Sequence, residues 1–357
     1  MALNAQQKMV ILEAIRRTPS AHNIQPLKIQ FRDDAVKIFF CSDRFLPVAD
    51  GNHTELKLTI GCLIYGLDLT LNHLGFMIVS ETVDMDIFNQ TGYSGTTDDK
   101  DIHIGTVEFA KKDSSVILNN QNDKFLGDSD AAKESLFQAI EKRFSYRGNF
   151  LKPGIEEVAK IKHVTETMKV ITDPNAVKEM AKVYDRSNLE QMSTPGFLKE
   201  LYVWTRYFKG HPNWSRDGVN SESLSLNFIE SFGASFILRP FLFRILHFIG
   251  ITRLLITDLP KIMSSSAVAV IFCPKNTSRI DHGKIFYRDW LLLTLHGFYG
   301  APLSALAMDP KGIHLMKDIV GISHEYEVIT ALKIGFLPNN YNRYPLIRLP
   351  IEDLEII

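Results

Sequence analysis

Cysteine is scarce in this sequence. The three present, Cys41, Cys62 and Cys273, are far apart and odd in number, which excludes a disulfide framework or a paired-cysteine metal knuckle. A reduced, cytoplasmic setting is the expectation. Net charge is nearly absent too: 40 basic against 41 acidic residues leave −1. No global field therefore favours anionic lipid or nucleic acid, and no nucleic-acid partner is expected. No uninterrupted apolar run approaches the roughly 20 residues that cross a bilayer, so no transmembrane segment is expected. The nearest case, Phe228–Ile256, is interrupted by Glu230, Arg239, Pro240, Arg244 and Arg253. It reads first as a buried interface helix and second as a membrane-surface helix. The opening MALNAQQKMVILEAIRR is patterned as an amphipathic helix and lacks the apolar centre of a signal peptide.

Nucleotide and hydrolase signatures are missing as well. No G-x-G-x-x-G follows a strand, no Walker A loop occurs, and no G-x-S-x-G elbow occurs. The eleven histidines never form H-E-x-x-H. No metal is expected, and isolated residues such as His73 and His296 read as ordinary core or surface histidines.

What is present is a chain of 357 residues with 45% hydrophobic and 23% charged residues, ordinary for a globular protein and too long for one typical core. Leu56, Ile60, Leu63, Ile64, Leu67, Leu71 and Leu74 recur at helical spacing and predict a helix over 54–74, capped by Asn52 with Glu55 reaching back, and ended by Gly75. Leu27–Phe31 and Val36–Cys41 predict a hairpin, and strands are expected at Met77–Val83, Ile102–Phe109, Ala267–Phe272 and Val328–Phe336. Helices are expected near 131–144, after Asp173-Pro174, and over Ile285–Leu295. The polar run 113–130 is the best internal boundary, giving halves 1–125 and 126–357. An irregular stretch near 186–226 is inserted in the second half. Leu12–Ser20 resembles Leu136–Ser145, and Leu69–Phe76 resembles Leu292–Phe298, a weak trace of duplication.

Four constellations carry chemistry. Pro19-Ser20-Ala21-His22-Asn23-Ile24-Gln25-Pro26 restrains its backbone with a proline at each end and supplies the hydroxyl and amide groups a heteroaromatic edge would need. Arg143-Phe144-Ser145-Tyr146-Arg147 offers two guanidiniums around a hydroxyl, the donor set a phosphate dianion wants, though a solvated basic helix end reads the same way. Gly297 to Ala305 places small residues after an apolar helix, where backbone can approach a planar ring. Arg343 and Arg348 follow the last expected strand, and Arg348 precedes Leu349-Pro350.

Taken together, these segments resemble the FMN-dependent nitroreductase superfamily over nearly the whole chain, most weakly across 150–260. Pro-Ser-x-x-Asn-x-Gln-Pro near residue 20 and basic-Ser-basic near residue 145 stand in reverse of the usual order. That is similar to the Acg-like branch, whose members resemble a fused dimer, and Asp50–Leu56 also looks like that branch. The resemblance implies an α+β nitroreductase-like fold: antiparallel sheets flanked by helices, two pseudo-dimer halves, and one FMN per chain. It implies phosphate binding by Arg143, Ser145, Arg147 and Arg348. Pro19, Ser20, Ala21, Asn23 and Gln25 would approach from the other half, and Pro302, Leu303, Ser304 and Ala305 would line the ring. Trp214, Arg216 and Asp217 are candidate lid contacts to flavin or substrate. Ser304 and Leu346 depart from the acidic and basic residues usual in the family, and Leu27 from the usual tryptophan, which puts NAD(P)H turnover in doubt more than flavin binding. The implied function is an oxidoreductase passing hydride from reduced flavin to a nitroaromatic, a quinone or another electron-poor acceptor, with NAD(P)H as donor. The alternative is an FMN-sequestering protein. A monomer acting as a pseudo-dimer, or a homodimer, is expected.

Overall fold

The computed structural model describes residues 2–86, 100–112, 128–152 and 155–357. Most of the polar boundary at 113–130 lies outside them. The N-terminal half opens with helix α1 (Ala5–Ile15), capped by Asn4, and continues into the hairpin β1 (Leu27–Phe31) and β2 (Ala35–Cys41). The long helix α2 (Thr54–His73) leads to β3 (Phe76–Val83) and β4 (Asp101–Lys111). These strands form an antiparallel sheet ordered β1-β2-β4-β3.

The C-terminal half repeats this arrangement. Helices α3 (Asp130–Lys142) and α4 (Ile155–Ala159) precede β5 (Met168–Ile171). Strand β8 (Ala267–Pro274), helix α11 (Arg279–Leu295), β9 (Tyr299–Pro302) and β10 (Tyr326–Gly335) follow. The sheet order is β5-β8-β10-β9, again antiparallel. In both sheets the strands run first, second, fourth, third, with a long helix between the second and third. Helices α12 (Ser304–Met308) and α13 (Pro310–Val320) separate β9 from β10.

The two long helices cross where neither has a side chain. A Cβ on Gly61 would lie 1.9 Å from the Ile280 carbonyl oxygen, and one on Gly283 would lie 2.1 Å from that of Leu58. The Cys62 thiol donates to the Gly283 carbonyl at 3.3 Å, and the Tyr65 and Tyr287 rings meet edge to face at 6.4 Å. The offset that matches Phe76 to Phe298 also matches Gly61 to Gly283 and Tyr65 to Tyr287. The resemblance of Leu69–Phe76 to Leu292–Phe298 therefore falls on equivalent places: each is a long helix running into a third strand. The other pair also falls on corresponding places, a helix that precedes the first strand of each half. Leu12 and Ile15 pack in the N-terminal sheet's core, and Leu136 and Ile140 in the core beneath the C-terminal sheet, which both long helices share.

Between β5 and β8 the C-terminal half carries an insertion. It holds α5 (Pro174–Ser193), α6 (Phe197–Val203), the parallel pair β6 (Thr205–Arg206) and β7 (Val219–Asn220), and four helices: α7 (Phe228–Ile237), α8 (Pro240–Phe248), α9 (Thr252–Leu255) and α10 (Leu259–Met263). Part of the stretch expected to be irregular, 186–193 and 197–203, is thus helical. The expectation of burial for Phe228–Ile256 is overturned: Pro240 and Gly250 cut it into short helices, and most of its large apolar side chains face outward. The cap expected from Asn52 is shared: its side-chain oxygen accepts from the Thr54 amide at 3.2 Å, and the Asp50 carboxylate accepts from the Glu55 and Leu56 amides at 2.8 Å each.

Candidate anion and cofactor site

Helix α3 ends at Arg143, where the backbone turns extended (ψ 133°). The next residues run alongside β9: Ser145 bridges Gly300, and the Tyr146 amide donates to the Gly300 carbonyl at 3.0 Å. Arg143 is 4% exposed. Its guanidinium lies 4.6 Å from the Trp290 ring and 5.4 Å from the Tyr287 ring, both on α11, and it donates through Nη2 to the Arg17 carbonyl at the end of α1. The two halves of the chain therefore meet at this side chain.

Arg348 reaches the same place from the far end of the sequence. After β10 the chain crosses to the N-terminal sheet, where the Ile29 amide donates to the Leu354 carbonyl at 2.8 Å and Glu355 bridges Ile29. On the way Arg348 donates to the Asn23 side-chain oxygen. Burial, then the neighbouring Arg143, pushes Arg348 down to about 9. Burial, then Arg17, lowers Arg343 as well. Four guanidiniums thus crowd one another. Among the described residues none of Arg143, Arg147, Arg343 and Arg348 forms an ion pair, and Arg17 reaches only the exposed Glu141, at 3.9 Å. Four buried donor atoms around them have no hydrogen-bond partner among the described residues: Arg143 Nε, Arg348 Nε, Trp290 Nε1 and Thr18 Oγ1. Buried positive charge without a counter-charge is costly, and unmet donors add to that cost. A dianionic phosphate supplies both missing components, so this donor set fits an FMN phosphate.

Arg147 continues the positive field. Burial, then the charge of Arg147, pushes His22 down to about 4, so residue 147 of the second half acts on residue 22 of the first. Lys333 on β10 is buried, donates to the Arg147 carbonyl at 3.1 Å and is pushed down to about 8 by that burial. The Tyr344 hydroxyl donates to the Ser145 carbonyl at 2.8 Å, leaving the half-buried Ser145 side chain beside Gly300. A Cβ on Gly300 would lie 2.8 Å from the Lys333 carbonyl oxygen, so only glycine fits between these strands.

The N-terminal corner is tightly wound. His22, Asn23 and Gln25 all have positive φ, at 46°, 56° and 52°, a strain that clusters at functional sites. Ser20 Oγ accepts from the Gln25 amide at 3.0 Å. Asn23 donates to the Gly218 and Ile347 carbonyls at 2.9 and 3.1 Å. Gln25 donates to the Arg216 carbonyl at 2.9 Å and accepts from the Leu349 amide at 2.8 Å. Both amides expected to face a ligand are spent on tying three chain segments together, because backbone groups meeting at such a junction need partners. They position Arg348 and the insertion; Pro19, Ser20 and Ala21 remain half-buried at the corner.

Pro302 ends β9. Leu303 and Ala305 are buried, with Leu303 donating to the Ala331 carbonyl at 2.8 Å, and Ser304 is exposed at the start of α12. Of the lid candidates, Asp217 is held by Arg206 at 2.7 Å and Arg44 at 3.1 Å, and Arg216 by Asp353 at 2.5 Å. Trp214 is half-buried, its carbonyl accepting from Asn220 at 3.1 Å. Asp217 also lines a cleft of about 550 Å³ with Arg44, Trp204, Arg206, Leu349 and Glu352. Arg143 and Arg348 do not line it. Sequence reasoning missed Arg17, Thr18, Tyr287 and Trp290. The signals were Arg17 directly before Thr18-Pro19, and Tyr287 with Trp290 one helical turn apart.

No family model matches the sequence, and no curated protein sequence matches it. Solved structures do align with the fold. A candidate nitroreductase from Anabaena variabilis aligns at 9% identity and a TM-score of 0.44, over 95% of this chain and 90% of its own. A nitroreductase from Bacteroides fragilis with bound FMN aligns at 10% identity and 0.32, over 58% and 91%. The FMN-dependent nitroreductase of Mycobacterium smegmatis in complex with NADPH aligns at 16% identity and 0.36, over 61% and 96%. All three are described as nitroreductases, and it is to these that the chain is similar.

Proposed function

We propose that this chain is an FMN-binding oxidoreductase of nitroreductase type, built as two fused halves that share one flavin. The observation that carries the reading is the arginine cluster, with its unmet donors and no acidic partner among the described residues. Arg143, Arg348 and Arg17 would hold the phosphate, with Arg147 and Arg343 adding to the field and Thr18 and Trp290 donating hydrogen bonds. Asn23 fixes Arg348, and Gln25 fixes the tail that delivers it. Pro19, Ser20 and Ala21 from one half and Ser145, Gly300 and Pro302 from the other would bracket the ring. When bound, the flavin supplies two-electron hydride chemistry, taking hydride from NAD(P)H and returning it to a nitroaromatic, quinone or similar acceptor with a proton from solvent. The residues bind, orient and shield.

A second reading, sequestration of FMN, is favoured by the segment that Asp217 and Arg216 pin down through three ion pairs, since a cover so fastened slows exchange. The test is a visible spectrum of the purified protein, mass determination of the released chromophore, then anaerobic mixing with NADPH. Bound FMN whose yellow absorbance bleaches on mixing supports the enzyme, and FMN that stays oxidised supports storage. Protein that neither carries nor takes up FMN refutes both.

A further inference from the structure

The helices α7 and α8 are amphipathic the wrong way round for water. On α7, Ser231 and Ser235 are 2% and 4% exposed, while Phe228, Ile229, Phe232 and Phe236 face outward. Ser231 Oγ donates to the Tyr207 carbonyl at 2.6 Å, so the polar side is the one fastened to the protein. On α8 only Phe243 is buried, against Met192 and Leu198. Phe241, Ile245 and Phe248 point out at spacings of four and three, with Phe241 79% and Phe248 91% exposed. Leu254 and Leu255 on α9 are exposed as well. Five of the six exposed phenylalanines among the described residues lie in this one segment. A contiguous apolar face of this kind marks a docking surface.

Charge decides what docks. The segment from 228 to 257 carries Arg239, Arg244 and Arg253 against a single acid, Glu230. Glu230 is committed to its own helix start, where it accepts from the Asn227 amide at 2.8 Å. Among the described residues neither Arg244 nor Arg253 forms an ion pair, and both are exposed. A second copy of the chain docking on the same face would set arginines against arginines. An anionic lipid surface would complement them. The apolar pieces Pro240–Phe248 and Thr252–Met263 meet at a bend of 108°, and no single described helix is long and apolar enough to cross a membrane. Short helices with an apolar face and basic flanks lie in the interfacial plane.

We infer that α7, α8 and α9 form a monotopic docking surface for an anionic phospholipid membrane. Phenylalanine and leucine side chains enter the acyl boundary, and Arg239, Arg244 and Arg253 meet the headgroups. This surface is independent of the flavin reading. The test is flotation of the full chain with phosphatidylcholine vesicles, with and without phosphatidylglycerol. The protein is expected to float with the anionic vesicles, and less so as salt screens the arginines. Phe241→Glu with Phe248→Glu, at positions too exposed to affect folding, is expected to abolish flotation while the circular dichroism spectrum and melting midpoint stay those of the parent. Arg244→Glu with Arg253→Glu is expected to weaken binding to anionic vesicles about tenfold or more, at ~1 kcal/mol per basic residue removed. Parent protein that stays in the dense fraction with anionic vesicles overturns the inference, as does a phenylalanine double variant that floats equally. A parent dimer that this variant converts to monomer, with neither floating, overturns it in favour of self-association.

Discussion

Replacing Arg143 by alanine tests the phosphate site most directly, because flavin comes with and without a phosphate. Arg143 carries an unmet Nε donor beside Arg348 and Arg17. One charge-assisted hydrogen bond is worth about 1.5–3 kcal/mol, and at about 1.4 kcal/mol per factor of ten its loss should weaken FMN binding ~10–150-fold. The substitution also removes the cation–π contacts to Trp290 and Tyr287. That loss affects FMN and riboflavin alike, so the ratio of their affinities isolates the phosphate contact. The assay is quenching of flavin fluorescence on titration with apoprotein, for parent and variant, with FMN and with riboflavin. The expected result is a 10–150-fold drop in preference for FMN over riboflavin, with riboflavin affinity changed far less, and a parent preference that shrinks as salt is added. An unchanged FMN/riboflavin ratio in both Arg143→Ala and Arg348→Ala would show that the phosphate sits elsewhere.

Three further outcomes follow from the geometry. Gly61→Ala or Gly283→Ala pushes a methyl group into backbone of the opposite long helix and should destabilise the fold by about 1–3 kcal/mol or more, read as a fall in denaturant midpoint. Asp217→Asn leaves Arg206 buried without its charge partner and should cost about 3–5 kcal/mol, partly recovered when Arg206→Met is added. His22 is held at about 4, below the 6.5 of the unfolded chain, by burial and then Arg147. The unfolded state therefore binds the proton first, and stability falls as pH drops from about 6.5 towards 4. His22→Asn, which tolerates the positive φ, should show a shallower loss than the parent over that window in unfolding titrations, and an identical pH profile would remove the role given to burial.

Much of the fold could be read from spacing alone. The hairpin, the long helix, Asp173-Pro174 as a helix start and the core strands all follow from apolar periodicity and caps, and all are present. The errors share a cause: partners distant in sequence. Helix α11 starts at Arg279, not Ile285, because polar residues in its first two turns find distant partners: Lys284 pairs with Glu81, and the His282 ring lies 3.3 Å from the Glu327 carboxylate. Asn23 and Gln25 looked like ligand donors because their partners, Gly218 and Leu349, lie hundreds of residues away. Arg143, Arg147 and Arg348 were legible from their spacing and from the proline near the tail, whereas Arg17 became visible only once α1 met α3. Phe228–Ile256 was misjudged because hydropathy reports apolar composition and not which medium covers it.

The repeat in the fold makes the asymmetry of the site meaningful. Gly61 pairs with Gly283 and Tyr65 with Tyr287 across the crossing of the long helices, so the fold has two equivalent places for an anion site. At one, the Tyr287 ring lies beside Arg143, with Arg348 near and, among the described residues, no carboxylate in ion-pair range. At the other, the Tyr65 hydroxyl donates to the Asp128 carboxylate at 2.8 Å, and the nearby Arg288 is paired with Asp289 at 2.8 Å. A carboxylate stands where a phosphate would need a guanidinium, and like charges at that range repel by several kcal/mol at interior dielectric. The two places thus differ: one gathers cations, and its equivalent is a closed network of Tyr65, Asp128, Arg288 and Asp289. Equilibrium dialysis of the apoprotein should therefore saturate at one FMN per chain. A second equivalent, bound with comparable affinity and lost on Tyr65→Phe but not on Arg143→Ala, would mean that the second place had been kept as a site.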